Sequence, residues 1–331
     1  MAMLPTLRQL QYLKLLAQHG SFSRAADAAH VTQPTLSAGI QELEKILGAP
    51  MVDRNRSGVI LTAAGAEAVS RAGTILALAE DLVQACRGAG QPLEGRLRLG
   101  VIPTIAPFLL PAALPILRQR FPRLRLFLRE DFTQRLIADL KAGVLDVVLI
   151  ALPYDMTGLE WVHVSDDELL AAFPANHPLC GDRTVSAGSL DGENLILLED
   201  GHCLRDHALS ACGLGPPKPT HREGFAATSL ATLVQMVGSG LGVTLLPSMA
   251  VEAGLAQAAG VSVRPLNPSL ASREIVVAWR VGSTRAAEGR LLAEIFAGHR
   301  ADAPLGGEPA RRQSTRSNRP PLTVPITGGL L

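Results

Sequence analysis

A chain of 331 residues with 47% hydrophobic content can bury more than one core, and a formal charge of +1 excludes a strong overall attraction to polyanions, so any nucleic-acid contact must be local. Four cysteines without a CxxC pair exclude a secreted disulfide framework and a zinc site. Arg8 and Lys14 interrupt the first apolar stretch, no cleavage site of small residues follows it and no run approaches a membrane span, which together predict a cytoplasmic protein with no membrane partner.

From Leu7 the apolar positions Leu10, Leu13, Leu16 and Ala17 recur at three and four, which predicts an amphipathic helix ending near Gly20. Ser21 is placed to cap a short second helix over Phe22 to Ala29. Thr32 is placed to cap a third, with Pro34 in its first turn and Gly48 as its stop. Leu36, Ile40, Leu43 and Leu47 form the expected buried face of that third helix, and the whole is a helix-turn-helix pattern. Gln33, Pro34, Thr35, Ser37 and Ala38 face away from the apolar stripe, and small or amide-bearing side chains of this kind suit a DNA major groove. Arg24, Arg54 and Arg56 can meet phosphates, the last two from a hairpin containing Gly58. Residues 1–60 carry six basic against four acidic side chains, a weak excess that composition alone would equally give to a small helical domain with solvated arginines. The run SFSRAADAAHVTQPTLSAGIQELEKILGAPMVDRN resembles the winged helix-turn-helix of LysR-type transcriptional regulators along its full length. The resemblance implies contact with promoter half-sites in double-stranded DNA through Arg24, Gln33, Pro34, Thr35 and Ser37.

From Thr62, a candidate N-cap, to Arg87 there is no proline, and a heptad places Val69, Leu76 and Val83 at one position and Ala72, Ala79 and Cys86 at the other. The pattern predicts a dimerisation helix, with an amphipathic helix packed on its own domain as the alternative. A helix-turn-helix protein that reads two half-sites needs a two-fold contact of this sort. Cys86 is expected to be a small apolar seam residue.

Gly88 to Pro92 is a hinge by composition. Beyond it the sequence predicts a strand through Leu97, Leu99 and Val101, a helix to Arg120, a strand from Leu124 to Leu128, a helix from Thr133 to Lys141 and a buried strand from Val147 to Leu152. This βαβαβ order argues for a doubly wound sheet. Further strands are expected over Glu168 to Phe173, Leu195 to Leu198 and Val243 to Leu246, with a helix from Leu230. Glu274 to Trp279 and the helix after Thr284 are expected to rejoin the first lobe. The segment FAATSLATLVQMVGSGLGVTLLP is typical of LysR-type regulators at large, and the resemblance implies a two-lobed effector domain like a periplasmic binding protein. A binding protein of that kind would need an export signal. The expected organisation is α+β and multidomain: a winged helix-turn-helix over 1–62, a linker helix and hinge over 63–90, a two-lobed α/β regulatory domain over 91–300 and a disordered tail over 301–331. The tail is rich in Pro, Gly, Arg and Ser, with five arginines against two acids from Arg300 onward.

Between Glu199 and Cys212 the sequence offers a short helix, with Asp200 to cap its front and Gly213 to end it. Such a helix holds Cys203 and Cys212 roughly 13 Å apart, whereas a disulfide needs Cα atoms within about 7 Å. A bond between them would therefore unwind the helix and act as a two-state switch. His202 and Arg205 are placed to favour a thiolate at Cys203. Spacing alone weighs two buried, inert thiols at least as heavily. The string LEDGHCLRDHALSAC resembles the redox segment of the hydrogen-peroxide-sensing branch of the LysR-type family. By resemblance Cys203 is the peroxidatic cysteine, oxidised to a sulfenic acid, and Cys212 is the resolving one. GVIPTIAPFLLP and REDFTQRLIADL match the family's pocket stretches at Thr104 and Thr133, and SREIVVAW places Arg273 at its basic residue beside the cysteine. These residues with His202 are expected to hold peroxide while Cys203 attacks, with Arg205 or Arg273 stabilising the thiolate. Asp206 is read as structural, His207 as facing solvent and Cys180 as a loop or core thiol. Thr228 and Ser229 are read as helix caps.

The leading expectation is a peroxide-sensing transcriptional activator, a homodimer or homotetramer that works with RNA polymerase and is reset by a thiol reductant, with neither metal nor cofactor. A LysR-type sensor of a small metabolite in the interlobe cleft and a cysteine peroxidase are the alternatives. The peroxidase does not account for residues 1–60.

Overall fold

The computed structural model describes residues 3–55, 58–86, 92–190, 192–211, 227–267 and 272–301. Cys212, Arg56, the hinge apart from Pro92 and the tail beyond 301 therefore lie outside the described residues.

Three helices, α1 (Leu7–His19), α2 (Phe22–Ala28) and α3 (Gln33–Leu47), form the N-terminal unit. Thr6 and Gln9 make a capping box at the front of α1, and Gly20 ends it at φ 61°, where a side chain is strained. Ser21 holds the N-cap position of α2, but its hydroxyl makes no capping bond. Thr32 does cap α3, accepting from the Thr35 amide. Leu10, Leu13, Leu16, Leu36, Ile40 and Leu43 close one core as the periodicity predicts, whereas Leu47 in the last turn of α3 is exposed. The hairpin of β1 (Val52–Asn55) and β2 (Gly58–Leu61) is the wing.

The linker helix α4 (Ala63–Cys86) starts at Thr62, whose hydroxyl accepts from the Gly65 amide at 2.9 Å. The helix serves both halves of the chain. Ala72 is buried in the N-terminal core, and Val69 and Leu76 pack against it. Farther along, the Thr74 hydroxyl donates to the Lys141 carbonyl at 2.9 Å, and Gly73 lies where an added Cβ would stand 2.6 Å from the Ala142 carbonyl. Asp81 accepts from Arg280 at 3.2 Å and from Thr284 at 3.1 Å. The predicted seam is thereby corrected, because Ala72 and Leu76 are spent on the chain's own core. The apolar stripe left exposed runs through Ile75, Leu78, Leu82 and Val83.

The first lobe sets β3 (Gly95–Val101) between β4 (Leu124–Glu130) and β5 (Val147–Leu152), all parallel. The helices α5 (Ala106–Arg120) and α6 (Thr133–Lys141) are the crossovers. The predicted doubly wound order holds for these strands, but the sheet continues as a mixed one. β10 (Ser272–Arg280) returns antiparallel to β5, and β6 (Leu159–Pro174) lies antiparallel to β10. The predicted strand at Glu168 to Phe173 is thus the far end of a 16-residue strand. Its first part pairs with β10, and its last part pairs with β8 (Thr244–Pro247) and β9 (Val261–Asn267) in the second lobe, where the short β7 (Val185–Ser186) lies parallel to β9. Leu195 to Leu198 is an extended segment with isolated parallel bridges to Val243 and Ala227 rather than a continuous strand. The helices α7 (Cys203–Ala211), α8 (Leu230–Gly238), α9 (Ser248–Glu252) and α10 (Leu255–Ala258) belong with the second lobe, and α11 (Ala286–Ala301) covers the first. No helix among the described residues is long and apolar enough to cross a membrane.

Candidate functional site: a buried thiol between two cores

The helix α7 sits astride the two lobes. Cys203, its first residue, belongs to the core of the first lobe and is 2% exposed, while Leu204 and Ala208 belong to the core of the second. The helix spans the expected stretch, and its register turns the thiol toward the first lobe.

The groups around the thiol come from four separate segments. Thr104 follows β3, Thr133 opens α6 and Arg273 lies on β10, and all three are at most 2% exposed. Arg273 donates from Nη1 to the Thr104 hydroxyl at 2.7 Å and from Nη2 to the Thr104 carbonyl at 3.0 Å. Burial pushes the Cys203 thiol above its ordinary pKa, and the Arg273 guanidinium and the two threonine hydroxyls pull it back down. The Thr133 hydroxyl is buried between the Cys203 sulfur and the Tyr154 phenol and lowers the pKa of both, with no further partner of ordinary hydrogen-bond geometry.

The chain neighbours of the cysteine behave differently from expectation. Burial lowers the His202 pKa, which favours the neutral ring. It bonds the Thr228 carbonyl through Nε2 at 3.2 Å and meets the Phe132 ring edge-on. Arg205 pairs with Asp200 at 3.0 Å and donates to the Leu198 carbonyl. The cation that acts on the thiol is therefore Arg273, brought by the fold from seventy residues away, and not the adjacent His202 or Arg205. Asp206 is paired electrostatically with Arg205, while burial raises its carboxyl. His207 does not face solvent. It is half-buried, interacts with the Leu152 backbone, and burial and Arg273 depress its pKa from 6.5 to about 4.

Sequence reasoning missed Asp167, Tyr154, Phe132 and Met249. Asp167 sits in the charged run SDDE, which reads as strand surface, yet it is fully buried against Arg273. The Tyr154 phenol is pushed up to about 12 by burial and by Cys203. Thr104, Phe108, Asp131, Phe132, His202 and Thr228 line part of a cleft of about 410 Å³. Thr228 does not cap α8, a role that Ser229 fills. Cys180 is half-buried and donates to backbone carbonyls, while Cys86 is exposed on α4. Among the described residues no three His, Cys, Asp or Glu side chains cluster as metal ligands.

In the N-terminal unit Arg24, Gln33, Pro34 and Thr35 are exposed and Ser37 is half-buried. Ser23 donates to the Gln33 side chain, which fixes the start of α3. Arg54 lies on β1, and its side chain is outside the described set.

Residues 7–66 match the model of the bacterial regulatory helix-turn-helix protein, lysR family, and residues 90–301 match that of the LysR substrate binding domain. The chain belongs to the LysR family of transcriptional regulators. This LysR-family chain is 45% identical over 252 residues to the HTH-type transcriptional regulator EstR of Acinetobacter baylyi, an alignment covering 76% of this chain and 83% of EstR. It is 43% identical over 246 residues to the DNA-binding transcriptional dual regulator OxyR of Escherichia coli, covering 74% and 80%. Full-length OxyR of Pseudomonas aeruginosa, in a cysteine-to-aspartate variant, superposes with a TM-score of 0.74 at 33% identity over 89% of this chain and 98% of that one. The hydrogen-peroxide-bound form of a Corynebacterium glutamicum OxyR cysteine-to-serine mutant gives a TM-score of 0.60 at 32% identity, covering 91% and 96%.

Proposed function

We propose that this LysR-family chain senses hydrogen peroxide through Cys203 and reports it to promoter DNA. The observation that carries the reading is a buried thiol facing one guanidinium and two threonine hydroxyls. The Cys203 thiolate attacks one peroxide oxygen. The S–O bond forms as the O–O bond breaks, sulfur loses two electrons, and the departing hydroxide takes a proton to leave as water. Arg273 favours the thiolate, while Thr104, Thr133 and the neutral His202 hold the peroxide oxygens by hydrogen bonds. The Cys212 thiolate then attacks the sulfenic sulfur, the S–S bond forms as the S–O bond breaks, and the hydroxide takes a proton from solvent to leave as a second water.

Residue 212 follows directly on Ala211, the last residue of α7, and a helix of this length cannot bring its ends within disulfide reach. Bond formation therefore unwinds α7 and withdraws Leu204 and Ala208 from the second lobe's core. The reaction is stoichiometric and is reset by a thiol reductant. Arg24, Gln33, Pro34, Thr35 and Ser37 read the half-sites, and Arg54 and Arg56 hold phosphates at the wing. Self-association into dimers and tetramers and contact with RNA polymerase complete the assembly.

Peptide mass spectrometry after one equivalent of peroxide, with alkylation under denaturing conditions, tests the chemistry. A Cys203–Cys212 bond that is absent from Cys203→Ser is expected, and free thiols beside unconsumed peroxide would sink the reading. The cleft of about 410 Å³ is far larger than peroxide and falls in the range of sites for small metabolites. With the similarity to EstR, this favours a metabolite sensor as the second reading, and thermal-shift screening of metabolites against the reduced protein tests it.

A further inference from the structure

We infer that Asp167 is a positioning residue for the thiol reaction: it clamps Arg273 so that Nη1 stays aimed at the Thr104 hydroxyl, which leaves the Thr104 proton to point at Cys203. The inference rests on the peroxide-sensing reading and names a residue that reading does not use. Asp167 lies on β6 where that strand leaves the first lobe. Its Oδ2 accepts from Arg273 Nε at 2.9 Å and lies 2.8 Å from Nη2, and both side chains are 0% exposed. Its Oδ1 accepts from the Ser248 hydroxyl at 2.9 Å and from the Met249 amide at 3.0 Å, which fixes the carboxylate to the start of α9.

The direction of the relay follows from donor chemistry. A guanidinium has donors and no acceptor, so Nη1 at 2.7 Å from the Thr104 oxygen must donate to it. The single Thr104 proton is then left for the sulfur beside it, in line with the hydroxyl's lowering influence on that thiol. A carboxylate is needed at the far end, because it takes four donors at once. An asparagine offers one oxygen and adds an NH₂ that opposes the guanidinium. The charged and titratable groups facing Cys203 are Arg273, Asp206 from its own helix and Tyr154, with His207 against Arg273.

The test compares wild type, Asp167→Asn, Asp167→Glu and Ser248→Ala in the full-length reduced protein. Alkylation of Cys203 by iodoacetamide is followed by mass spectrometry against pH, and oxidation by hydrogen peroxide is measured in parallel. Asp167→Asn is expected to slow both reactions roughly tenfold at neutral pH, as for a thiol whose titration moves up by about one pH unit. Asp167→Glu should restore most of the rate, and Ser248→Ala should move the midpoint upward by less. An Asp167→Asn protein with the wild-type midpoint would overturn the inference, as would a loss of rate that is equal at every pH. If near-UV circular dichroism shows Asp167→Asn to be unfolded, Ser248→Ala decides alone: an upward midpoint supports the inference and an unmoved one overturns it. Wild type that is alkylated but inert to peroxide would instead refute the sensing reading, and the alkylation profiles would still judge Asp167.

Discussion

At the scale of single residues, burial sets the chemistry of the site, and His207 gives it a measurable pH signature. Its pKa falls from 6.5 to about 4 on folding, so the neutral ring is the form the fold accepts. Above pH 6.5 both states are neutral and its full contribution is present. As pH falls the unfolded chain gains a proton first, so stability declines from 6.5 down to about 4 and levels off below. The loss is at most about 3.5 kcal/mol. Chemical denaturation at pH 7 and pH 4.5 should show a gap that His207→Gln narrows. The same scale shows where the sequence was silent. Family motifs carry Cys203, Thr104, Thr133 and Arg273, and the structure brings them together. The expectation that His202 and Arg205 would supply positive charge failed because adjacency in the chain says nothing about orientation. Arg205 turns to Asp200 and the Leu198 carbonyl, and burial keeps His202 neutral. Asp167 was invisible, since a carboxylate in a run of acids reads as surface until a buried arginine is found against it.

At the scale of elements, periodicity was a good guide wherever one face meets one core. The strand Val147–Leu152 and the helix Thr133–Lys141 have the predicted bounds, because apolar runs and amphipathic spacing report local burial. The long strand β6 was read only at its end, because its burial changes from lobe to lobe and no single period covers it. The linker seam was misplaced for a related reason: α4 packs on two partners, and a heptad count cannot tell which face goes to which. The stripe through Ile75, Leu78, Leu82 and Val83 has no cover among the described residues. Leu82→Asp should therefore shift the oligomer toward smaller species in sedimentation velocity while leaving thermal stability nearly unchanged. The helix α7 allows a kinetic prediction. Leu204→Ala removes a buried anchor worth about 2–4 kcal/mol, in part by opening a cavity. It should speed disulfide closure after Cys203 is oxidised and leave the first oxidation step alone, as rapid-quench alkylation would resolve.

At the scale of the whole molecule, the thiol site and the linker helix α4 lie at opposite ends of two shared elements. The helix α6 begins at Thr133 and ends at Leu140 and Lys141. Leu140 accepts from Arg280, and Lys141 accepts from Thr74 of the linker helix. The strand β10 carries Arg273 at one end and Arg280, bonded to Asp81, at the other. These elements run about 12 Å and about 24 Å respectively. Removing one partner of a largely buried ion pair costs about 3 kcal/mol. Asp81→Ala should thus lower the melting temperature, and its DNA footprint should no longer change with the redox state of the cysteines.

The contact of α4 with the ends of α6 and β10 has a further consequence, which concerns the operator as much as the oxidant. Binding equilibria joined through one body are reciprocal: whatever factor oxidation applies to operator affinity, the operator applies to the thiol–disulfide equilibrium. DNA is in this sense an effector of Cys203. Titration against a thiol buffer with and without the operator duplex should give two midpoints, separated by the ratio of affinities measured for the reduced and oxidised protein. An alarm of this design is set by the promoter it occupies, and one regulator can answer at different oxidant levels on different genes.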